Sequence, residues 1–461
     1  MRRRTAIKTL GALGAAAGAP RLLAGCGDDV GGGDAGPVLP PGIDHVVVVM
    51  MENRSYDHYF GSRSLVEGLA GDGLPAGASN QNGAGQAIEI FPAGEVCVAD
   101  PPHGWNSSRT QLNGGACDGF MIAYENSWGT DVPPDAMSYL VRDNIPVSYA
   151  LADAFTTCDR WFCSVLGPTW PNRMYFHTAQ SMGITANELP ADGFRWPTIY
   201  HRLDQAGVDW RYYYIDAPVI AVADNLDLEG RIRRVMPDYL DEAAAGTLPA
   251  VAVVDPGFSY NDDHPPHHPL VGQQFLSLVY NALARSPQWQ RSMLIITYDE
   301  HGGFYDHVAP PTVPDERADE GFDQLGFRVP TMVVGPYARA GYVSSVVYEH
   351  CSFLAHLEKK YDLEPLTMRD AAAADITDCI DQERLDAGDP LPPAEVPAIE
   401  LDESDIPERC TNAYWSSDVL RWADQARFPR RWDLRGKALD TVYDIASVLD
   451  SWNLGRIRRG R

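Results

Sequence analysis

The sequence predicts an α/β fold whose centre is a buried and mostly parallel β-sheet. Residues 46–51 and 293–298 form two apolar runs without the polar alternation of a half-exposed strand, which is typical of strands covered on both faces. Stretches with helical spacing separate the predicted strands, as the crossover connections of a parallel sheet require. The chain has 461 residues, 45% of them hydrophobic and 22% charged, which is enough for one large domain or two smaller ones.

The N-terminus has the features of an export signal. A basic start containing Arg3 and Arg4 resembles a twin-arginine signal, and the apolar segment at 9–19 is far shorter than the roughly 20 residues of a membrane span. Residues 23–26 resemble a bacterial lipoprotein processing box, which would leave Cys26 as the lipidated first residue. We therefore expect an export signal at 1–25, a flexible tether at 26–42 and a periplasmic or cell-surface lipoprotein. The alternative is an ordinary cleaved signal in which Cys26 occurs by chance.

Residues 43–361 alternate between helical and strand patterns, and we expect them to form the main domain. The stretch at 62–104 is rich in Gly, Asn, Pro and Ala and predicts loops and hairpins. We predict helices at 145–155, 171–182, 196–206, 273–285 and 348–361, and further strands at 208–215, 250–254 and 331–334. Residues 362–461, first acidic and proline-rich and then amphipathic, are expected to form a surface excursion and a helical segment packed on this domain.

The charge balance restricts the partners of the protein. Its 63 acidic and 37 basic residues give a formal net charge of −26, which disfavours binding to nucleic acid and to anionic membrane surfaces. A phosphate-bearing substrate is compatible with this charge, because a bound cation can reverse the local sign.

The cysteine content predicts disulfides in an exported protein. Eight cysteines are present, and if Cys26 carries a lipid, seven remain and at least one is unpaired. We expect the unpaired residue to be Cys351, because it lies in an apolar, helix-like stretch. The pairing is not fixed by spacing, and three combinations are considered: Cys97–Cys117, Cys379–Cys410 and Cys158–Cys163.

Polar side chains follow both central strands. Glu52 and Asn53 come directly after the first, and Asp299 and Glu300 directly after the second. Because ligands bind at the carboxyl ends of parallel strands, we expect these four residues to meet. Four oxygen-bearing side chains favour Ca²⁺, Mg²⁺ or Mn²⁺, whereas added histidine ligands would favour Zn²⁺ or Fe. An acidic turn after a core strand is the alternative for the first pair.

Thr169 is the candidate nucleophile. It follows a Gly-Pro turn, and Pro171 suits the first turn of a helix, so the hydroxyl group lies near a helix N-terminus that favours an anion. A metal ion beside a hydroxyl group lowers its pKa, and this combination matches phosphoryl transfer through a covalent phospho-Thr169. A structural N-cap is the alternative that the threonine alone would favour.

Three histidines complete the candidate site, because a histidine near the leaving oxygen could act as a general acid. His103 lies between Pro and Gly, His264 follows two aspartates beyond a predicted strand, and His301 follows Glu300. Solvated loop histidines are the alternative for His103 and His264.

Four motifs together resemble one protein family. They are DHVVVVMMENRSYDHYFG, GPTWPNR, the Asp-His-Pro segment and DEHGGFYDHVAPP. The chain is similar over about 43–360 to the bacterial phosphoesterases, a family of non-haemolytic phospholipases C and acid phosphatases. The resemblance implies a three-layer α/β/α sandwich like that of alkaline phosphatase. It also implies metal ligation by Glu52, Asn53, Asp299 and Glu300, a nucleophile at Thr169, and phosphate-binding histidines at His103 and His264. His301 lies inside the last motif and is a catalytic candidate without a specific role.

The expected activity is therefore metal-dependent hydrolysis of phosphate esters, of either the phospholipase C or the acid phosphatase type. One alternative is a sulfate-ester hydrolase of the same fold, although the chain lacks the C-x-P-x-R segment that sulfatases use. Another alternative is a non-catalytic, metal-binding surface lipoprotein. The head group, the native metal and the oligomeric state stay open.

Overall fold

The structure is a computed structural model that describes residues 42–190, 192–410, 417–425 and 438–458. The predicted export signal, Cys26 and most of the predicted tether lie outside these ranges. All described residues belong to one compact unit. Within these ranges, every helix is too short or too polar to cross a bilayer.

The centre of the described chain is an eight-stranded sheet. Its strands, in chain order, are β1 (His45–Met51), β2 (Thr156–Cys158), β3 (Trp210–Tyr214), β4 (Ile232–Arg234), β5 (Val251–Val254), β6 (Ser292–Tyr298), β7 (Thr331–Val334) and β8 (Tyr342–Ser344). Across the sheet the order is β8-β2-β7-β6-β1-β5-β3-β4.

The two predicted central strands, β1 and β6, are neighbours. They run parallel, with Met51 opposite Tyr298, so both strands end at the same level. Strand β7 is antiparallel to β6 and β2, whereas the other described pairs in this sheet are parallel. Residues 46–49 are fully buried. The prediction of a buried, mostly parallel sheet is therefore confirmed.

Helices lie in two groups around this sheet. One group is centred on α8 (Pro269–Ala284), which contacts α4 (Pro146–Ala154), α7 (Leu240–Ala245) and α13 (Ala438–Ser451). The other is centred on α5 (Thr169–Thr178), which contacts α6 (Ile199–Ala206), α9 (Cys351–Tyr361) and α12 (Asp418–Gln425). The remaining described α-helices are α1 (Tyr56–Leu65), α2 (Trp105–Leu112), α3 (Phe120–Trp128), α10 (Met368–Ala372) and α11 (Gln382–Ala387). A mostly parallel sheet with these helical layers is the predicted three-layer α/β/α sandwich.

Helix α5 differs from its predicted bounds at both ends. It begins at Thr169 rather than Pro171, and it ends at Thr178 rather than near Met182. The C-terminal end follows from Ala179, whose φ of 57° places it in the left-handed conformation that terminates a helix. The N-terminal difference makes Thr169 the first helical residue.

Small sheets lie outside the central one. Ser79–Gln81 pairs with Ala87–Glu89 inside the stretch predicted as loops and hairpins. Phe91–Pro92 pairs with Ser138–Tyr139. Ile399–Asp402 pairs with Gly455–Arg458 and buries Ile399 and Leu401, so part of the acidic C-terminal region is folded against the core.

The disulfide pairing differs from all three expected combinations. Cys97 bonds to Cys410, 313 residues away, and the described cysteines Cys117, Cys158, Cys163, Cys351 and Cys379 are free and buried. The expected unpaired state of Cys351 is confirmed. The pairing was wrong because the C-terminal region returns across the loop that carries Cys97, a tertiary contact that sequence spacing does not encode.

Candidate active site

The ends of β1 and β6 bring the four predicted metal ligands together. Asp299 Oδ1 accepts hydrogen bonds from the backbone N–H groups of Asn53, at 3.1 Å, and Glu300, at 2.8 Å. Asn53 has a φ of 58°, so the chain turns sharply as it leaves β1. Glu52, Asn53, Asp299 and Glu300 are all fully buried. The register of the two strands therefore places four oxygen-bearing side chains at one edge of the sheet.

A single asparagine holds the turn before α5. Asn172 Nδ2 donates to the carbonyl oxygens of Gly167, at 2.9 Å, and Pro168, at 3.1 Å, while its Oδ1 accepts from the Val165 N–H at 3.0 Å. These bonds place Thr169 at the first position of the helix. Its Oγ1 atom is buried and has no hydrogen-bond partner within the described part of the chain.

Arg173 connects α5 to the strand ends. It lies four residues after Thr169, on the same helical face. Its Nη2 atom is 3.2 Å from Glu52 Oε1, and its Nε atom donates to Asp299 Oδ2 at 3.2 Å. A third acid, Asp255 at the end of β5, has Oδ1 3.7 Å from Nη1. Arg173 belongs to the GPTWPNR motif and was not predicted as a site residue. Its i, i+4 spacing from Thr169 is the sequence feature from which a role in the site could have been predicted.

His103 and His264 face the same cluster. The His103 Nε2 atom is 3.7 Å from Glu300 Oε1, and the two imidazole rings lie edge to face at 6.0 Å. Each Nδ1 atom lies close to a backbone carbonyl oxygen, that of Pro101 at 2.8 Å and that of Pro265 at 2.6 Å. Nδ1 is therefore the donor in both rings, and Nε2 is the atom presented to the site.

His301 lies beside Glu300 and is tied to α2. Its Nε2 atom is 2.8 Å from Gln111 Oε1, and its Nδ1 atom is 3.2 Å from Glu300 Oε2. Its ring also packs against Phe327. These contacts fix the orientation of His301 relative to a predicted metal ligand.

Asp100 is a further acid in the site that the sequence analysis did not select. Its Oδ1 atom is 3.5 Å from His103 Nδ1, and its Oδ2 atom is 4.0 Å from His264 Nε2. The ligand atoms of these three residues lie within 4.8 Å of one another. The position of Asp100, three residues before His103, is the sequence feature from which its role could have been predicted.

Gly302 and Gly303, which follow strand β6, pack closely against the backbone of two other segments of the site. A Cβ atom at Gly302 would lie 2.1 Å from the carbonyl oxygen of Asn53, and one at Gly303 would lie 2.6 Å from that of Pro102. Both glycines have positive φ, 65° and 71°. At both positions the glycine therefore allows a close approach to the backbone of another segment.

The buried acids of the candidate site have too few positive charges around them to balance their own negative charges. Burial and the neighbouring Asp299 raise the pKa of Glu52 well above its ordinary range, despite Arg173. Burial raises the pKa of Glu300 to about 8, although His103 opposes this. For His103, burial lowers the pKa, but Glu300 and Asp100 outweigh it and bring the pKa to about 9. Burial and His103 hold the pKa of His264 well below its ordinary range. Buried acids of this kind are stabilised by an additional cation.

The unpartnered atoms fit a hard divalent cation. Among the described residues, these buried oxygens accept no hydrogen bond: both carboxylate oxygens of Glu52, Asn53 Oδ1 and Glu300 Oε1. An all-oxygen set of this kind is what Ca²⁺, Mg²⁺ and Mn²⁺ prefer. The group of Asp100, His103 and His264 offers two nitrogens instead and suits a softer ion. The strand-end set thus supplies the harder ligands, whereas Asp100, His103 and His264 are the group whose ligand atoms lie within 4.8 Å of one another.

A second acidic group, around Arg328, is structural. The guanidinium group donates to Asp57 Oδ1 and Asp306 Oδ1, both at 2.9 Å, and His307 Nδ1 lies 2.6 Å from Asp57 Oδ2. Although Asp57, Asp306 and His307 have the spacing of a metal site, they are already engaged. The sequence contains Tyr-Asp-His twice, at 56–58 and at 305–307. Each segment contributes one aspartate, Asp57 or Asp306, to the binding of the same buried arginine, Arg328.

The comparison with protein-family models identifies the group to which the chain belongs. The model of the Phosphoesterase family matches residues 43–364. The chain belongs to the phosphoesterase family. This membership confirms the resemblance and the assignment as a hydrolase of phosphate esters.

Similar curated proteins are phospholipases C. The phosphoesterase is 34% identical over 379 residues to non-specific phospholipase C6 of Arabidopsis thaliana, which covers 73% of this chain and 72% of that one. It is 30% identical over 400 residues to phospholipase C A of Mycobacterium tuberculosis, covering 73% and 76% of the two chains. Among solved structures, a protein of the alkaline phosphatase superfamily from Vibrio parahaemolyticus aligns with a TM-score of 0.41 and 10% identity, covering 84% of this chain and 89% of that one.

Proposed function

We propose that this phosphoesterase is a phospholipase C-type enzyme that cleaves phosphodiesters through a covalent phospho-Thr169 intermediate. The observation that carries the proposal is the Thr169 hydroxyl: it is buried, unpartnered among the described residues, and placed at the start of a helix. The same helical face carries Arg173, which contacts Glu52 and Asp299. The preference for diesters is supported by the phospholipase C relatives.

Glu52, Asn53, Asp299 and Glu300 are the proposed ligands of a Ca²⁺, Mg²⁺ or Mn²⁺ ion. When bound, such an ion would lower the pKa of the Thr169 hydroxyl and neutralise phosphoryl oxygens. Arg173 fixes helix α5 relative to the proposed ligands. The nucleophile Thr169 is therefore already in position before the reaction begins. The positive end of the α5 dipole adds attraction for the phosphoryl group.

The two site histidines differ in charge, and this difference suits separate steps. Glu300 and Asp100 favour the protonated form of His103, which can donate a proton from Nε2 to the leaving oxygen. His264 is neutral, and its buried Nε2 atom can accept a proton from the water that hydrolyses phospho-Thr169. We assign His301 a positioning role, because its described polar contacts are Gln111 and Glu300.

Substitution of Thr169 tests the nucleophile. We expect wild type to hydrolyse p-nitrophenylphosphorylcholine, and Thr169→Ala to lose about 10³-fold or more of the activity. Thr169→Ser should retain part of it and, after rapid quenching, carry one phosphorylcholine group on the peptide containing residue 169, because p-nitrophenol leaves and the choline stays on phosphorus. The matched control is Thr110→Ala, which removes an exposed hydroxyl group from α2. Equal activity of Thr169→Ala and wild type would show that the nucleophile is another residue.

Metal removal tests the metal requirement of the proposed reaction, and a panel of esters tests its substrate class. Chelation should abolish activity, and separate addition of Ca²⁺, Mg²⁺, Mn²⁺ or Zn²⁺ should show which ion restores it. Faster cleavage of p-nitrophenyl phosphate than of the diester would favour the acid phosphatase type. Cleavage of p-nitrophenyl sulfate alone would favour the sulfatase alternative, and inactivity with every ester and ion would favour a non-catalytic protein.

We also propose that the protein is exported and anchored by a lipid on Cys26. The motif at 23–26 supports this, and the Cys97–Cys410 disulfide requires an oxidising compartment. In cells that process lipoproteins, wild type should fractionate with membranes and Cys26→Ala should not. Equal membrane association of the two proteins would contradict the anchor.

A further inference from the structure

A cavity of about 590 Å³ opens beside the candidate nucleophile and acid. His103 and Pro168 line its inner side, and Pro168 directly precedes Thr169. Its volume is in the range of small-ligand sites. Thr169 is buried behind this lining, so the cavity is the space that adjoins the nucleophile through Pro168 and the acid through His103.

The outer wall of the cavity comes from α12, a helix beyond the region that matches the family model. Asp418 and Arg421, three residues apart on this helix, both line the cavity and form an ion pair. The wall is also attached to the nucleophile helix. The Trp422 ring packs edge to face on Trp170 at 5.5 Å. The Asn187 side chain accepts a hydrogen bond from the backbone N–H of Trp170 at 2.9 Å and donates one to Asp418.

The cavity lining contains several polar residues among apolar ones. Besides Asp418 and Arg421, it includes the side chains of Asn106, Ser107, Thr185 and Asn187. Amides, hydroxyl groups and a guanidinium–carboxylate pair supply both donors and acceptors. A hydroxyl group of a ligand can use both kinds, because it donates one hydrogen bond and accepts others.

The aromatic residue in the lining is poorly placed to bind a quaternary ammonium group. Such a group needs an open aromatic face, but the Arg109 guanidinium group already lies 3.4 Å from the centre of the Trp105 ring. Phe322 packs on the same residue at 4.9 Å. Two neighbours thus occupy the surface that a choline group would use.

Arg421 is electrostatically coupled to the catalytic side of the cavity. Burial raises the pKa of Asp100 to about 6, and the positive charges of His103, Arg54 and Arg421 oppose this rise. Asp100 itself lies beside His103 and His264. Arg421 thus lines the cavity and is close enough to its catalytic side to interact electrostatically with Asp100.

We infer that this cavity binds a head group with neighbouring hydroxyl groups, such as glycerol or inositol, and that Arg421 is a specificity-determining residue that donates hydrogen bonds to it. Asp418 accepts from the same hydroxyl groups and holds Arg421 in place. This inference rests on the proposed phosphodiesterase function, because it assigns the cavity to the substituent on phosphorus.

The test uses the full-length protein and four phospholipids in one non-ionic detergent, at equal mole fraction and constant ionic strength. They are phosphatidylglycerol, phosphatidylinositol, phosphatidylcholine and phosphatidylethanol. The last carries the charge of phosphatidylglycerol without its hydroxyl groups. We expect wild type to cleave the glycerol or inositol lipid at least about 10-fold faster, as kcat/KM, than the other two, the size of effect that hydrogen-bonded recognition gives.

Arg421→Ala should remove this preference by lowering kcat/KM for the glycerol and inositol lipids to about the value for phosphatidylethanol, whose head group has no hydroxyl group for Arg421 to bind. The control is Arg195→Ala, which removes an exposed arginine paired with Asp224 and should leave all rates unchanged. Equal cleavage of phosphatidylethanol and phosphatidylglycerol, or a preference for phosphatidylcholine, would overturn the inference. So would an equal loss of phosphatidylethanol cleavage in Arg421→Ala. Failure to cleave any phosphate ester would overturn the proposed function as well.

Discussion

Arg173 donates a hydrogen bond to Asp299 across the boundary between helix α5 and strand β6, at 3.2 Å, with both side chains buried. The bond fixes the helix that carries Thr169 relative to the carboxylates at the strand ends. It also places one positive charge inside an otherwise acidic cluster, so Arg173 contributes to stability and to the geometry of the site.

Replacement of Arg173 is expected to affect both properties. Arg173→Met leaves Glu52 and Asp299 without their cation, and removing one partner of a buried ion pair costs about 3–5 kcal/mol. We expect a lower Tm and at least a 100-fold lower activity, with the Tm partly restored by the activating divalent ion. Arg317→Met, which breaks an exposed pair with Glu320, is the control for differential scanning fluorimetry. Equal Tm values for the two variants would contradict this role.

The Gly-Gly segment provides a steric prediction. Gly302→Ala should be far more damaging than Gly114→Ala, because both positions have a φ of 65° but a Cβ at Gly114 meets nothing within 4 Å. The shared φ costs each variant about 1–2 kcal/mol. The additional overlap with the Asn53 carbonyl should make Gly302→Ala inactive or insoluble. Soluble yield, Tm and activity measure the difference, and similar values for both variants would refute the steric explanation.

The buried carboxyl group of Glu358 lies away from the candidate site, and its raised pKa predicts that the stability of the protein depends on pH. Burial and the adjacent Asp370 raise the pKa of this α9 residue from 4.5 to about 9. The folded protein therefore favours the protonated form, and stability should decrease as the pH rises from 4.5 towards 9. Glu358→Gln should show a smaller fall in Tm between pH 6 and pH 9 than wild type. Glu383→Gln, at an exposed position of α11, should behave like wild type.

The Cys97–Cys410 disulfide is expected to stabilise the protein strongly. Its partners are 313 residues apart, and closing a long loop in the unfolded chain is worth roughly 3–5 kcal/mol. The double variant Cys97→Ser, Cys410→Ser should therefore melt at lower temperature and show increased mobility of the nearby His103 loop by hydrogen exchange. Reductant should bring wild type to the Tm of the double variant and leave the variant unchanged. A Tm in wild type that reductant does not move would argue against the bond.

Local pattern predicted the centre of the fold and most of the candidate site. Strands β1 and β6 are uninterrupted apolar runs, and parallel strands end at a common edge, so Glu52 and Asp299 were expected to meet. The direction of β7 was not predictable, because a four-residue apolar strand has the same pattern in parallel and antiparallel sheets. The three-layer arrangement came from the family resemblance.

The remaining features depend on contacts between distant segments. Arg173 is buried only because acids from β1, β5 and β6 converge on it, and a charged residue in a helix is otherwise expected at the surface. The role of Asp100 depends on the loop that brings it to His264. The partner of Cys97 lies in a C-terminal segment whose path the local sequence does not determine.

The bond between the Asn53 backbone and Asp299 joins positions 246 residues apart, and this distance has a consequence for biosynthesis. During translation β1 emerges first, but its neighbours β5 and β6 follow only after about half of the protein has been made. An apolar strand with both edges unpaired is prone to aggregation during that interval. The vulnerable stage of this protein is therefore the growing chain, and its yield in cells should depend on how β1 is shielded until the centre of the sheet closes.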